Sequence, residues 1–135
     1  MFLHDTNILV YAWDAKHRRK RSIARGLIRR ALSGEGLLSQ QVFGEFSAVM
    51  LYQMKPAIPA SEVLPALDAL ANIRLVPSGA GVARRALEAA AAYGIHFYDG
   101  LVVAAAERGN CSTIYSEDLN HGQSYFRAEL VNPFL

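Results

Sequence analysis

The sequence predicts an α/β protein whose parallel sheet is covered by helices on both faces. Three observations carry that reading. Short β-like runs alternate with longer helical ones along the chain, the pattern of strand–helix–strand units, which implies parallel strands. The 135 residues are 52% hydrophobic and 19% charged, enough to build one compact core and too apolar for a disordered chain. No repeat, low-complexity segment or linker interrupts them, so residues 1–135 are read as a single domain. Finally, the opening Met1-Phe-Leu-His-Asp-Thr-Asn-Ile-Leu-Val-Tyr-Ala-Trp-Asp14 is a buried strand that runs straight into an acid and then into helical periodicity.

Met1 to His4 forms the first strand, and behind Asp5 the residues Ile8, Leu9, Ala12 and Trp13 recur at helical spacing. Asp14 is placed to cap a helix over residues 16 to 33, with Ile23, Leu27, Ile28 and Ala31 as its buried stripe and Gly34 and Gly36 as its stop. Gly36 to Ser39 is a second strand. The helix after it, Gln40 to Lys55, buries Val42, Phe46, Val49 and Met50 and carries Glu45 in its second turn. Pro56 and Pro59 end that helix, and Ser61 to Asn72 is helical again, with Pro65 delaying or kinking its start. Ile73 to Pro77 is a third strand. Gly79 and Gly81 lead into an alanine-rich helix that reaches Tyr93 and closes at Gly94. Asp99 opens an apolar helix to Arg108, stopped by Gly109; Ser112 to Tyr115 is a fourth strand and Glu129 to Asn132 a fifth.

Net charge is only +2, yet eight of the fourteen basic residues (Lys16, Arg18, Arg19, Lys20, Arg21, Arg25, Arg29, Arg30) fall in one stretch that contains no acid. Such a face is either simply solvated or drawn to a polyanion or an acidic partner. Lys16, Arg18, Arg19, Arg21 and Arg25 are the candidate nucleic-acid contacts. No apolar run is long enough to span a bilayer, and His4 and Asp5 interrupt the start where a signal peptide would need an apolar stretch. The expected compartment is therefore the cytoplasm. Cys111 stands alone, without a partner for a disulfide or a thiolate metal site.

By itself Asp5 fits a helix cap as well as a carboxylate facing a ligand. The other acids shift the balance. Asp5 follows strand one, Glu45 lies early in the helix after strand two, Asp99 opens a helix, and Asp118 follows strand four. Parallel strands put such ends on one edge of the sheet, where four carboxylates would raise one another's pKa unless a cation intervened. Oxygen ligands without His or Cys suit Mg²⁺ or Mn²⁺, and such ions activate water for in-line attack on a phosphodiester.

At these residues the chain resembles the PIN domain. Asp5-Thr-Asn-Ile-Leu-Val-Tyr-Ala, Glu45 within Gln-Val-Phe-Gly-Glu-Phe, Tyr98-Asp99-Gly-Leu-Val-Val-Ala-Ala-Ala and Ser116-Glu-Asp118-Leu are similar to its four acidic motifs, in order and at suitable intervals. A free-standing domain of this size resembles the VapC toxins of type II toxin–antitoxin pairs. The resemblance implies a three-layer α/β/α sandwich around a mainly parallel sheet of four to five strands. It also implies a Mg²⁺- or Mn²⁺-dependent ribonuclease, a homodimer, and a VapB-like antitoxin whose tail covers the site. It makes Asp5 and Asp99 the principal metal ligands, completed by Glu45 and Asp118, with Thr6, Asn7 and Ser116 orienting carboxylates or water. Glu117 competes with Asp118 for the metal, and the Ser-x-Asp pattern favours Asp118. His121 is read as a solvated loop residue, Asp14 as a cap before a border of the pocket, and Tyr98 and Trp13 as core. The expected reaction is hydrolysis of RNA by activated water without a covalent intermediate. A non-cleaving RNA-binding module of the same fold is one alternative, and an RNA-processing nuclease without an antitoxin another. A phosphotransfer receiver or an aspartyl-phosphate phosphatase is disfavoured, because the chain lacks paired acids before the first helix and Asp5-Thr-Asn7 lacks a second acid.

Overall fold

The structure is a computed structural model that describes residues 1–135. Five parallel strands and one antiparallel edge strand form a single sheet in the order β3-β2-β1-β4-β6-β5. The strands are β1 (Phe2–His4), β2 (Gly36–Ser39), β3 (Arg74–Val76), β4 (Thr113–Tyr115), β5 (Ser124–Tyr125) and β6 (Ala128–Val131). All five expected strands are present. The sixth, β5, is two residues long and pairs with β6 through a turn at Phe126, whose φ is +53°.

The helices are α1 (Thr6–Tyr11), α2 (Arg18–Arg30), α3 (Val42–Ala48), α4 (Ala60–Leu70), α5 (Ala80–Tyr93) and α6 (Phe97–Arg108). Wider π-type turns at Ala31–Glu35 and Val49–Gln53 extend α2 and α3, which is why the sequence reads each as one longer helix. The first of these turns is released at Gly34, where φ is +103°. Pro65 lies inside α4 without ending it. Helix α6 starts two residues before Asp99, because the His96 side chain caps it by accepting from the Tyr98 N–H.

Successive strand residues face opposite sides of the sheet, and both sides are buried. Phe2 and Leu38 join α1 to α4 in one apolar layer, whereas Leu3, Leu37, Val76, Ile114 and Leu130 pack with α5 and α6 in the other. Helices α5 and α6 approach so closely that a Cβ on Gly100 would lie 2.5 Å from the Ala86 carbonyl oxygen. No single helix is long and apolar enough to cross a membrane.

Strand β1 is central, and the order of the strands fixes where a site can form. The chain leaves β1 towards β2 and β3 on one side, then crosses to β4 on the other. The crevice beyond the carboxyl ends of β1 and β4 is therefore the switch point at which open α/β sheets bind ligands.

Candidate metal centre

Asp5 occupies that crevice because β1 ends at His4 and α1 begins at Thr6. Its own N–H still bonds Tyr115 of β4, at 2.9 Å. The two readings of Asp5 as a cap and as a site residue prove compatible. Oδ1 accepts from the Thr6 N–H at 2.7 Å, closing the first turn of α1, while Oδ2 accepts from the Ser116 hydroxyl at 2.8 Å. That hydroxyl also accepts from the Asp118 N–H at 3.1 Å, so the loop after β4 is folded back over β1.

The consequence is a cluster. Asp5, Asp99 and Asp118 each offer an oxygen within 4.8 Å of the others'. Glu45 is not part of this tight triad. It lies on the wall of the same cavity, of about 380 Å³, which Asp5, Thr6, Asn7, Tyr11 and Asp118 also line. There the Thr6 hydroxyl donates to Glu45 Oε2 at 3.0 Å and Gln41 Nε2 donates to Oε1 at 3.1 Å.

Electrostatics set the character of the cluster. Burial pushes the Asp5 carboxyl up to about 6; the Ser116 and Thr6 hydrogen bonds oppose the rise, and the charges of Asp118 and Glu45 add to it. Asp99 is also raised, by burial and then by Asp118, with His96 acting the other way. None of the chain's ion pairs involves Asp5, Glu45, Asp99 or Asp118. Both amide atoms of Asn7, on the cavity wall, are buried without a hydrogen-bond partner. Oxygen-only donors, mutual repulsion without an internal cation, and an unanswered polar group beside them fit a hard, hydrated divalent ion.

Other expected residues are distributed as follows. Glu117 turns away from the cluster: the Tyr11 hydroxyl donates to its Oε1 at 2.9 Å and Lys20 Nζ to its Oε2 at 2.7 Å. His121 is exposed, and its Nδ1 accepts from the Asn132 N–H at 3.1 Å. Asp14 does not cap α2, whose N-cap is His17. It accepts instead from the Lys16 N–H at 2.9 Å, lies 2.7 Å from His17 Nδ1, and borders the cavity with it. Trp13 packs against Phe46 as expected of the core, but Tyr98 is 62% exposed and is not core. Lys16, Arg18, Arg19 and Arg25 are exposed and Arg21 is half-buried. Arg19 donates to the Phe134 carbonyl and Arg25 to that of Ala12, so these two also fasten α2 to its neighbours.

Four contributors escaped the sequence reading. Gln41 precedes Glu45 by one helical turn, a spacing that could have revealed it. His96 acts as a cap although His is not a favoured capping residue. Tyr11 and Lys20 hold Glu117 through a fold-dependent contact, and Tyr11 also lines the cavity. The largest hollow, about 810 Å³ and lined by Arg85, Glu107, Cys111 and Phe126 among others, includes Ser112 at the amino end of β4 and lies away from the acids.

The sequence pattern of the PIN domain matches residues 2–125. No curated protein matches the chain. Among solved structures, a FitAB complex bound to an IR36 DNA fragment is 18% identical, with 100% of this chain and 96% of that one covered and a TM-score of 0.69. VapBC2 from Rickettsia felis, bound to a DNA fragment from their promoter, is 18% identical over 96% of both chains, with a TM-score of 0.66. Mycobacterium tuberculosis VapC20, described as a sarcin–ricin loop cleaving toxin, is 17% identical over 87% of this chain and 90% of its own, with a TM-score of 0.65. At these identities the likeness speaks for the fold, while the pattern match covers nearly the whole sequence: the chain belongs to the PIN domain family.

Proposed function

We propose that this chain is a ribonuclease dependent on Mg²⁺ or Mn²⁺, and the toxin of a VapBC-type toxin–antitoxin pair. One observation carries the reading: Asp5, Asp99 and Asp118 meet within reach of a single ion at the switch point of the sheet, with no lysine or arginine to neutralise them. In this reading the three aspartates hold the ion, and Glu45, fixed by Thr6 and Gln41, extends the acidic wall towards substrate. When bound, the ion supplies positive charge to the scissile phosphate and activates water for in-line attack. Ser116 and Thr6 keep Asp5 oriented, and the free amide of Asn7 takes a water or a phosphate oxygen.

The basic helix begins at the cavity rim, next to His17. Lys16, Arg18, Arg19, Arg21 and Arg25 there hold the RNA backbone, and cleavage accordingly weakens as salt rises. FitAB and VapBC2, two of the structural neighbours, were solved on DNA, which supports a VapB-like antitoxin as partner; in this reading the toxin is a cytoplasmic homodimer. The test is cleavage of single-stranded RNA by the purified chain. Activity should vanish with chelator, return with Mg²⁺ or Mn²⁺, and be lost in Asp5→Asn and Asp99→Asn proteins that keep their circular dichroism. Cleavage that survives both chelator and substitution overturns the mechanism.

A further inference from the structure

We propose that Tyr98, stacked on His96 at the start of α6, is the platform for a nucleobase flanking the phosphate held at the acidic cluster. The proposal rests on the ribonuclease reading and adds a positioning residue to it.

Three observations lead there. Tyr98 is a large aromatic side chain left 62% exposed, immediately before Asp99. It is nevertheless ordered by its neighbours. Its ring stacks on His96 with centroids 5.7 Å apart and planes 15° from parallel, and Phe97, packed against the cluster of Val82, Ala86 and Ala104, meets it edge-on at 5.6 Å. The imidazole beneath it is fixed in turn, because His96 Nδ1 accepts the Tyr98 N–H that begins α6. Finally, Tyr98 adjoins the site along the chain: the next residue, Asp99, belongs to the triad of oxygens within 4.8 Å.

An exposed ring that is already immobilised loses little freedom when a flat ligand settles on it. Aromatic faces of this kind hold unpaired bases without regard to sequence. A phosphate at the triad leaves its flanking nucleotide near the turn that carries Asp99, and Tyr98 is the exposed aromatic side chain of that turn. A protein contact would need only an apolar surface; a base needs the flat ring.

That difference defines the experiment. Steady-state cleavage of a short single-stranded RNA is measured for the full chain and for Tyr98→Ala, Tyr98→Leu, Tyr98→Phe and Tyr98→Trp. In Tyr98→Ala, KM should rise about tenfold or more, the loss expected for one stacked base. kcat and the Mn²⁺ midpoint read by thermal shift should not change. Phe and Trp should restore KM, and Leu should not. In a parallel arm, a single abasic nucleotide is walked along the RNA in binding assays with Ca²⁺. One position should weaken binding to the wild type and have no further effect on Tyr98→Ala. Equal KM in wild type and Tyr98→Ala, rescue by Leu, or variants that change the oligomeric state by light scattering would each overturn the platform. A wild type that never cleaves would defeat the ribonuclease reading instead, and the abasic arm would still decide on the platform.

Discussion

Replacing Asp5 with asparagine should make the ion-free protein more stable while destroying its activity. Burial holds the Asp5 carboxyl at about 6 against an ordinary 3.8, so the ionised form is disfavoured by about 3 kcal/mol in the folded chain. Asparagine keeps the shape and removes the charge. Its oxygen can accept from the Thr6 N–H, and its amide can donate to Ser116 Oγ, which has capacity beyond the Asp118 N–H it already accepts. The penalty on the ionised form already includes the Ser116 and Thr6 hydrogen bonds, and the poorer fit of an amide than of a neutral carboxyl to the same two partners offsets part of the gain, leaving about 1–2 kcal/mol at pH 7.5 in chelator. The pH dependence provides the sharper test. The folded pKa of Asp5 lies above its unfolded value, so its penalty is complete above about 6 and disappears as pH falls towards 3.8. The advantage of Asp5→Asn should therefore shrink by about 2–2.5 kcal/mol between pH 7.5 and 4 and change sign on the way. Urea titrations at half-unit pH steps measure it, and the difference between the two proteins cancels the titrating groups that do not interact with Asp5, leaving Asp5 and its coupling to Asp118 and Glu45. One of the cancelled groups hides the effect in the wild type alone. His4, buried and neutral, is lowered from 6.5 to about 4 by burial and by Arg30, so its contribution is lost as pH falls through nearly the same window. Adding Mn²⁺ should reverse the order, because only the wild type gains stability from tight binding. A difference that is independent of pH, or a variant less stable at pH 7.5, would show that Asp5 is not a carboxylate destabilised by burial.

Two further predictions test the frame around the cluster. Gly100→Ala places a methyl group against the Ala86 carbonyl at 2.5 Å; it should cost about 1–3 kcal/mol by urea midpoint, and should weaken Mn²⁺ binding because Asp99 is the preceding residue. Glu117→Gln removes only the partly exposed pair with Lys20, so stability should move by less than about 1 kcal/mol and RNA cleavage should persist, whereas Asp118→Asn should abolish it. Equal loss in the two variants would contradict the assignment of Asp118 to the cluster.

The residues that were legible in the sequence are those governed by local rules. The change of period at Asp5, the glycine stop at Gly94, where φ is +64°, and the apolar strands all report on their immediate surroundings, and each element they imply is present. What stayed hidden depends on a partner distant in sequence or on direction. Glu117 and Asp118 are adjacent acids, separated only because Ser116 turns residue 118 back towards Asp5 while Tyr11 and Lys20 draw residue 117 outward. Glu45 follows the right strand, yet Thr6 and Gln41 hold it on the wall rather than in the triad. Tyr98 falls in step with Leu101 and Val102 on the apolar stripe of α6 and so reads as core. Side chains in a first helical turn point back beyond the helix end, however, and this one projects past the packed layer. Strand β5 is too short to show any alternation.

The distribution of the chain's own cations gives the strongest physical reason to expect an external one. A domain with more basic than acidic residues has ample means to neutralise four carboxylates, and here it uses those means elsewhere. Lys20 is committed to Glu117, Arg19 to the Phe134 carbonyl, Arg25 to the Ala12 carbonyl, Arg30 to Glu35, and Arg85 to Glu88 and Glu107. None of these bonds reaches a carboxylate of the cluster, and those of Arg19 and Arg25 fasten α2 to its neighbours while leaving both side chains exposed to solvent. Evolution towards stability alone would favour a lysine reaching into the triad, since an unpaired buried charge is costly and one partner would relieve it. A Lys or Arg introduced at Asn7, whose amide borders the cavity without a partner, would supply that relief from within. Such a variant should be more stable than the wild type in chelator, should gain nothing from Mn²⁺, and should not cleave RNA.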